Sequence, residues 1–390
     1  MNDEDLQSAF DRVQGRALRI GALALALSVI GAYRDPTGFL RSYLVAYIFW
    51  LAIALGCFAI VMLHHMVGGN WGFMIRRTLE AGTRTFPLLA VLFLPLLLNL
   101  HRLYSWARPE MAASLALPPF KRAYLSTPFF VGRTVVYFAA WLLLAYFLNK
   151  WSVEQDETGG AEVTNRLQFL SAPGILIYGF TITYAAIDWV MSLDPGFFST
   201  IFGMIFMVLP ALTAMALAVV VAMLLSRHRP LLGLIEPGHF NDYGNLLLTF
   251  VMLWAYLAFD QFLIIWAGNL QDEIPWYMLR ATGGWAGVGL LLIIFYWAVP
   301  FLLLLSRDVK RRPRVLAGVA VALIVMAWVY LYWMIVPAFY PKSPHLSATD
   351  VLMPIGLGGL WVAWFVWQLK GRPLLPLRDP RFAGAASLGS

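Results

Sequence analysis

The chain has 390 residues, of which 61% are apolar, 15% aromatic and only 13% charged, with a mean hydropathy of +0.72. This composition excludes a soluble globular domain and describes an integral membrane protein. The formal net charge of +7 points to no nucleic-acid partner, because Lys and Arg fall in short loops, where they set topology.

The apolar pattern predicts one polytopic, all-α membrane domain over 1–390. Ten spans lie at about 17–33, 44–66, 84–102, 127–150, 170–191, 201–226, 243–268, 281–305, 315–339 and 350–370. Arg12, Arg16 and Arg19 precede GALALALSVIGAY, which loosely imitates a signal peptide; the long charged lead and the closely following second span favour a retained first helix. The one cysteine, Cys57 in the second span, excludes a self-contained iron–sulfur cluster, a four-cysteine zinc site and any intrachain disulfide. His64 and His65 end the second span, and His101-Arg102 end the third. Adjacent histidines point about 100° apart, so at most one of the first two could ligate a haem, and none of the histidines has zinc-site spacing.

Pro-rich 118–120 and 126–128 precede the fourth span. The acidic stretch 154–162 is expected as the loop before the fifth, and Asp194-Pro195-Gly196 as a turn before the sixth. Pro210, Pro300 and Pro337 lie inside spans and are expected to kink them. The small residues of GGWAGVG, 283–289, are expected to bring two helices close. No internal repeat stands out, and no nucleotide-binding loop is present. An even number of spans puts both termini on one side. With that side cytoplasmic, cytoplasmic segments hold 19 of the 28 Lys and Arg and the opposite segments eight. The largest cluster is Arg307, Lys310, Arg311, Arg312 and Arg314; the loop 103–126, with Arg108, Lys121 and Arg122, runs against the rule.

The seventh span carries the most informative polar pattern. Asp242, Asn245, Thr249, Tyr256 and Asp260 fall within a sector roughly 60° wide and climb about 27 Å, close to the hydrocarbon thickness. Such a stripe either hydrogen-bonds helices together inside a bundle or serves a proton relay, since an intramembrane carboxylate is costly. The fifth span adds Thr181, Tyr184 and Asp188 at i, i+3 and i+7. Arg133, Asp188 and Asp260 fall at similar depth, which suggests a paired cluster, either a structural salt bridge or the outward opening of a relay. At the other end, His239 and Asp242 could gather protons, or they belong to a polar loop in which Asn241 or Asp242 caps the helix.

Two segments, IDWVMSLDPGFFSTIFG (187–203) and LLLTFVMLWAYLAFDQFLIIWAGNLQDEIPWYMLR (246–280), resemble the second large membrane subunit of alternative complex III. That complex is a bacterial quinol:cytochrome c (electron acceptor) oxidoreductase. Its second large subunit is one of the NrfD-like, polysulfide-reductase-type membrane proteins, and the similarity extends over nearly all ten spans. The resemblance implies ten helices, the central eight as two four-helix bundles, in the bacterial inner membrane with both termini cytoplasmic. It implies a chain without cofactors of its own, in a complex that oxidises quinol. The implied partners are a sister NrfD-like subunit, a pentahaem cytochrome c, an iron–sulfur subunit related to molybdopterin oxidoreductases, a monohaem cytochrome c and small membrane subunits. Haem c and iron–sulfur clusters reside in those partners. Asp188, the His239/Asp242 pair, and Lys121 and Arg122 after PPF match polar positions of the family; the resemblance assigns Asp260 no role.

The expected function is therefore a membrane anchor in a respiratory complex, with a proton route through Asp188, Tyr184, Asp242 and His239. Two other readings remain open: a proton-coupled secondary transporter using Asp260 or Asp188, and a subunit that itself binds quinol among Arg133, Tyr137, Asp188 and Asp260.

Overall fold

In this computed structural model, residues 3–115, 117–228, 231–376 and 378–382 are described. Among them are ten helices long and apolar enough to cross a membrane: α1 Leu6–Arg34, α2 Pro36–Val67, α3 Arg76–Leu98, α4 Thr127–Thr158, α5 Ala161–Leu193, α6 Phe202–Leu225, α7 Pro237–Gly268, α8 Gly283–Leu305, α9 Pro313–Ala338 and α10 Ala348–Lys370. The chain is an all-α, multi-pass membrane protein.

Several helices outrun their apolar cores. Helix α3 starts at Arg76 rather than near residue 84, because Glu80 pairs with both Arg76 and Arg77 at helical spacing. The acidic stretch 154–162 is not a loop. Helix α4 continues to Thr158 and α5 begins at Ala161, leaving a two-residue turn. Gly159 makes it possible: its φ of 66° is left-handed, and its N–H closes on Gln155 O at 2.9 Å.

Neighbour contacts close two rings. Helices α2, α3, α4 and α5 form one four-helix bundle, and α6, α7, α8 and α9 form the other. The bundles join where α2 meets α6 and α9, and where α5 meets α6; α10 packs on α2, and α1 packs on α10. The joint is tight. A Cβ on Gly56 would lie 1.8 Å from Pro210 O, so only glycine lets α2 cross α6 at this depth.

The expected kinks differ in kind. Pro210 lies inside the continuous α6. Pro300 follows a π-helical turn, Ile293–Ala298, which absorbs the hydrogen bond that proline cannot make. Pro337 sits in the 3-10 turn that ends α9, and leaves the Trp333 carbonyl without its helical donor. Arg280, from the connection between α7 and α8, fills that gap. Its Nε donates to Trp333 O at 3.2 Å and its Nη2 to Met334 O at 2.7 Å, with the guanidinium 3.5 Å from the Trp276 ring centre. Burial pushes Arg280 down to about 9, which leaves it a cation at neutral pH, favourably placed at a helix C-terminus.

The glycines of 283–289 do not make the expected close helix contact. Gly283 turns the chain with φ 56°, Gly284 lies against Pro344, and a Cβ on Gly287 would meet nothing within 4 Å. The close glycine contact is elsewhere: a Cβ on Gly359 of α10 would sit 2.4 Å from Gly21 Cα of α1. Helix α1 otherwise faces outward along most of its length. Gly359→Leu is therefore expected to pry α1 from α10 and destabilise the protein by about 1–3 kcal/mol. Gly287→Leu stays within about 0.5 kcal/mol. Thermal unfolding of the two variants in one detergent checks the contrast.

Candidate functional site

At the face where α4 begins and α5 ends, Arg133 and Asp188 meet. Arg133 Nε and Nη2 donate to Asp188 Oδ2 and Oδ1, each at 2.8 Å, and Tyr137 OH donates to Oδ2 at 2.7 Å. The Asp188 side chain is fully buried, and Arg133 stacks 3.7 Å from the Tyr124 ring centre. Two helices thus share one neutralised charge pair, a geometry in which a bidentate guanidinium holds a carboxylate firmly.

Only part of the expected cluster assembles. Asp260 lies half-buried on the outward side of α7, away from this pair. Thr181 is buried and accepts from Trp141 Nε1 at 2.9 Å. Tyr184 is 46% exposed: about 60° round the helix from Thr181, it falls on the outward edge of the stripe. Lys121 packs over Phe198, where burial lowers its pKa and Asp194 and Asp272 oppose the shift; Arg122 is exposed.

The stripe on α7 faces neither bundle interior. Asp242, Asn245, Thr249 and Tyr256 are exposed, whereas the buried face consists of Tyr243, Leu247, Val251, Trp254, Leu257 and Gln261. Asn245 Oδ1 accepts from Lys310 Nζ at 2.7 Å, and Thr249 bonds back to Asn245 O. The helix starts earlier than expected, so Asn241 and Asp242 lie inside it and neither caps it. Glu236 is the cap, and Glu236 N donates to His239 Nδ1 at 3.1 Å. His239 Nδ1 is thus an acceptor, and the ring proton of the neutral imidazole sits on Nε2.

The densest polar network lies at the opposite end of the first bundle, among residues that sequence reasoning passed over. Glu80 sits between two arginines, 2.8 Å from Arg76 Nε and 2.6 Å from Arg77 Nη1, and accepts from Ser152 Oγ at 2.6 Å. Arg77 also grips Asp156, and Arg76 reaches Gln155 Oε1 at 2.9 Å. The chain after α10 returns to complete the network: Asp379, fully buried, pairs with Arg76 at 2.8 Å and with Arg381 at 3.2 Å. The Arg76-Arg77-x-x-Glu80 spacing was a legible helix signal. Nothing local marks Asp379, which arrives from about 300 residues away.

His64 and His65 lie beside this network, and His101 ends near the opposite face, one membrane crossing away. The two groups cannot ligate one haem. His64 packs against Trp71 and Phe73, and the fully buried His65 has no partner on either ring nitrogen among the described residues. No group of three His, Cys, Asp or Glu suited to a metal ion occurs among the described residues.

No protein-family profile matches the chain, and no curated protein is detectably similar to it.

Two measurements test the geometry. Arg133→Met alone is expected to cost about 3–5 kcal/mol, because it strands a buried carboxylate; pairing it with Asp188→Leu should recover much of the loss. Denaturation midpoints in detergent report the cycle. Burial opposes ionisation of Asp379, but Arg381 and Arg76 outweigh it and hold the carboxyl below the usual range. Docking of the segment after α10 is then fully stabilised above about pH 4, the unfolded Asp value, and weakens as pH falls through the lower folded pKa. A fluorophore on Phe382→Cys reads the release, since Cys57 is buried; Asp379→Asn should abolish the acid transition.

Proposed function

We propose that this chain is a cofactor-free membrane subunit of a bacterial quinol-oxidising complex of the alternative complex III type, an anchor for redox partners and a route for protons. The reading rests on the two segments, 187–203 and 246–280, that resemble the second large membrane subunit of that complex, and the pair of four-helix bundles supports it. In it, quinol gives electrons to iron–sulfur and haem c groups of partner subunits. The basic face, where α1 begins and α10 ends, is cytoplasmic.

The observation that carries the proton route is a buried carboxylate at each end of one bundle, Asp188 at one face and Glu80 at the other. Helix α4 links toward both. Near one end Tyr137 bonds Asp188 and Trp141 bonds Thr181; near the other Asn149 bonds Thr83 and Ser152 bonds Glu80. Trp141 and Asn149 are about 12 Å apart along the axis, a gap for water to bridge. This route replaces the one through Tyr184, Asp242 and His239, whose side chains point outward or cap a helix. The α7 stripe serves the other half of the proposal. A carboxylate facing hydrocarbon costs several kcal/mol, so Asp260 and its neighbours call for a protein cover, met by a sister or small membrane subunit.

The tagged chain purified from native membranes in mild detergent is expected to bring c-type haem bands in a reduced-minus-oxidised spectrum. A colourless lone polypeptide overturns the assignment. In proteoliposomes of the intact complex, Glu80→Gln and Asp188→Asn should each lower the proton-to-electron ratio. An unchanged ratio removes the proton route and leaves the subunit assignment standing.

A further inference from the structure

On the basic face, α6 ends at Leu225 and α9 begins at Pro313, and a cavity of about 430 Å³ opens between them. Four exposed arginines line it: Arg227 from beyond α6, and Arg311, Arg312 and Arg314 from the turn into α9. Among the described residues, no carboxylate lines it. None of the four forms an ion pair among the described residues, and Arg227 Nη2 reaches only Met223 Sδ, at 3.5 Å. Loop arginines that merely set topology need to lie on the correct side; they need not gather from two separate segments around one space.

The rest of the cavity also suits an oxyanion. Arg312 is the N-cap of α9, and Pro313 occupies the first turn. No side chain caps that end, so the N–H groups of Arg314 and Val315 have no helical acceptor, and the helix dipole adds positive potential. The other wall is the C-terminal end of α6, whose carbonyls would repel an anion, and Arg227 stands there. One turn deeper on each helix, Met223 and Val315 line the same space and offer apolar surface. Lys310, by contrast, is turned away onto Asn245 and takes no part.

We propose that this cavity is a headgroup site for an anionic phospholipid, its phosphate held by Arg227, Arg311, Arg312 and Arg314 and its acyl chains lying along Met223 and Val315. Planar guanidiniums match the oxygens of a phosphate in pairs. Basic pockets between membrane helices, at headgroup depth on the cytoplasmic side, bind anionic lipid headgroups. The site joins α6 to the α8–α9 turn, so a bound lipid would tie the second bundle together at its basic end. This proposal stands apart from the respiratory assignment and needs none of its partners.

The test compares the full chain in detergent with Arg227→Gln/Arg312→Gln, and with Arg307→Gln as a control that removes a cluster charge outside the cavity. Native mass spectrometry after delipidation, with dioleoyl phosphatidylglycerol added back, is expected to show one strongly retained lipid on the wild type and on Arg307→Gln. Retention on the double variant should fall at least ten-fold. Thermal midpoints in phosphatidylcholine should be equal for all three proteins, which shows that the double variant folds, and phosphatidylglycerol should raise only those of the wild type and the control. Equal retention by the double variant would overturn the proposal. So would equal stabilisation by phosphatidylcholine, which lacks the net charge, or by inorganic phosphate, which lacks the acyl chains.

Discussion

In hydrocarbon, a guanidinium or carboxylate without a partner costs several kcal/mol, and the layout of this protein follows from meeting that cost. Arg133 of α4 is spent on Asp188 of α5. Arg41 of α2 meets Asp350 of α10 at 2.6 Å, with both side chains buried. Arg76 and Arg77 of α3 share Glu80 and take Asp156 of α4 and Asp379 beyond α10 as further partners. Most of these pairs tie one helix to another near a membrane face. Between the faces, contact is carried by apolar side chains and by glycines that let backbones approach.

This division of labour gives the two bundles different characters. The first bundle is pinned at both ends by buried ions, and the segment after α10 is folded back into one of them. The second relies on aromatic packing, with Trp254, Tyr296 and Tyr330 within 4.4–6.1 Å of one another, and on Arg280 closing the end of α9. Its basic end, between α6 and α9, is held by no ion pair among the described residues, and there the arginines line an open recess. The first bundle buries and hydrogen-bonds its titratable groups. The second presents its polar stripe and its arginines outward.

The stripe on α7 marks where sequence reasoning reached its limit. Periodicity correctly placed Asp242, Asn245, Thr249, Tyr256 and Asp260 on one side of one helix, because that follows from 100° per residue. It could not say whether that side faced the bundle, since the opposite side is equally able to pack. The same ambiguity misplaced Tyr184. Thr181 and Asp188 lie on the buried face of α5, and Tyr184 is turned away from it. Matching depth suggested Arg133 and Asp188 as partners, and they do pair, but because α4 and α5 are neighbours. Depth alone also promised Asp260, and only the lateral order of the helices removed it.

What the sequence determined by itself is the membrane, the ten crossings and the depth of each polar group. Each depends on a local sum, the transfer of about twenty successive residues from water to hydrocarbon, and on a fixed rise per residue. What the tertiary structure alone decided is which face of each helix is buried and which distant groups come together: Asp379 with Arg76, Arg280 with the end of α9, and Arg227 and Arg312 around one recess. Those outcomes depend on close packing among helices far apart in the chain, through contacts such as Gly56 on Pro210 and Gly21 on Gly359. No local sum encodes them, because the partner that settles each orientation lies elsewhere in the sequence.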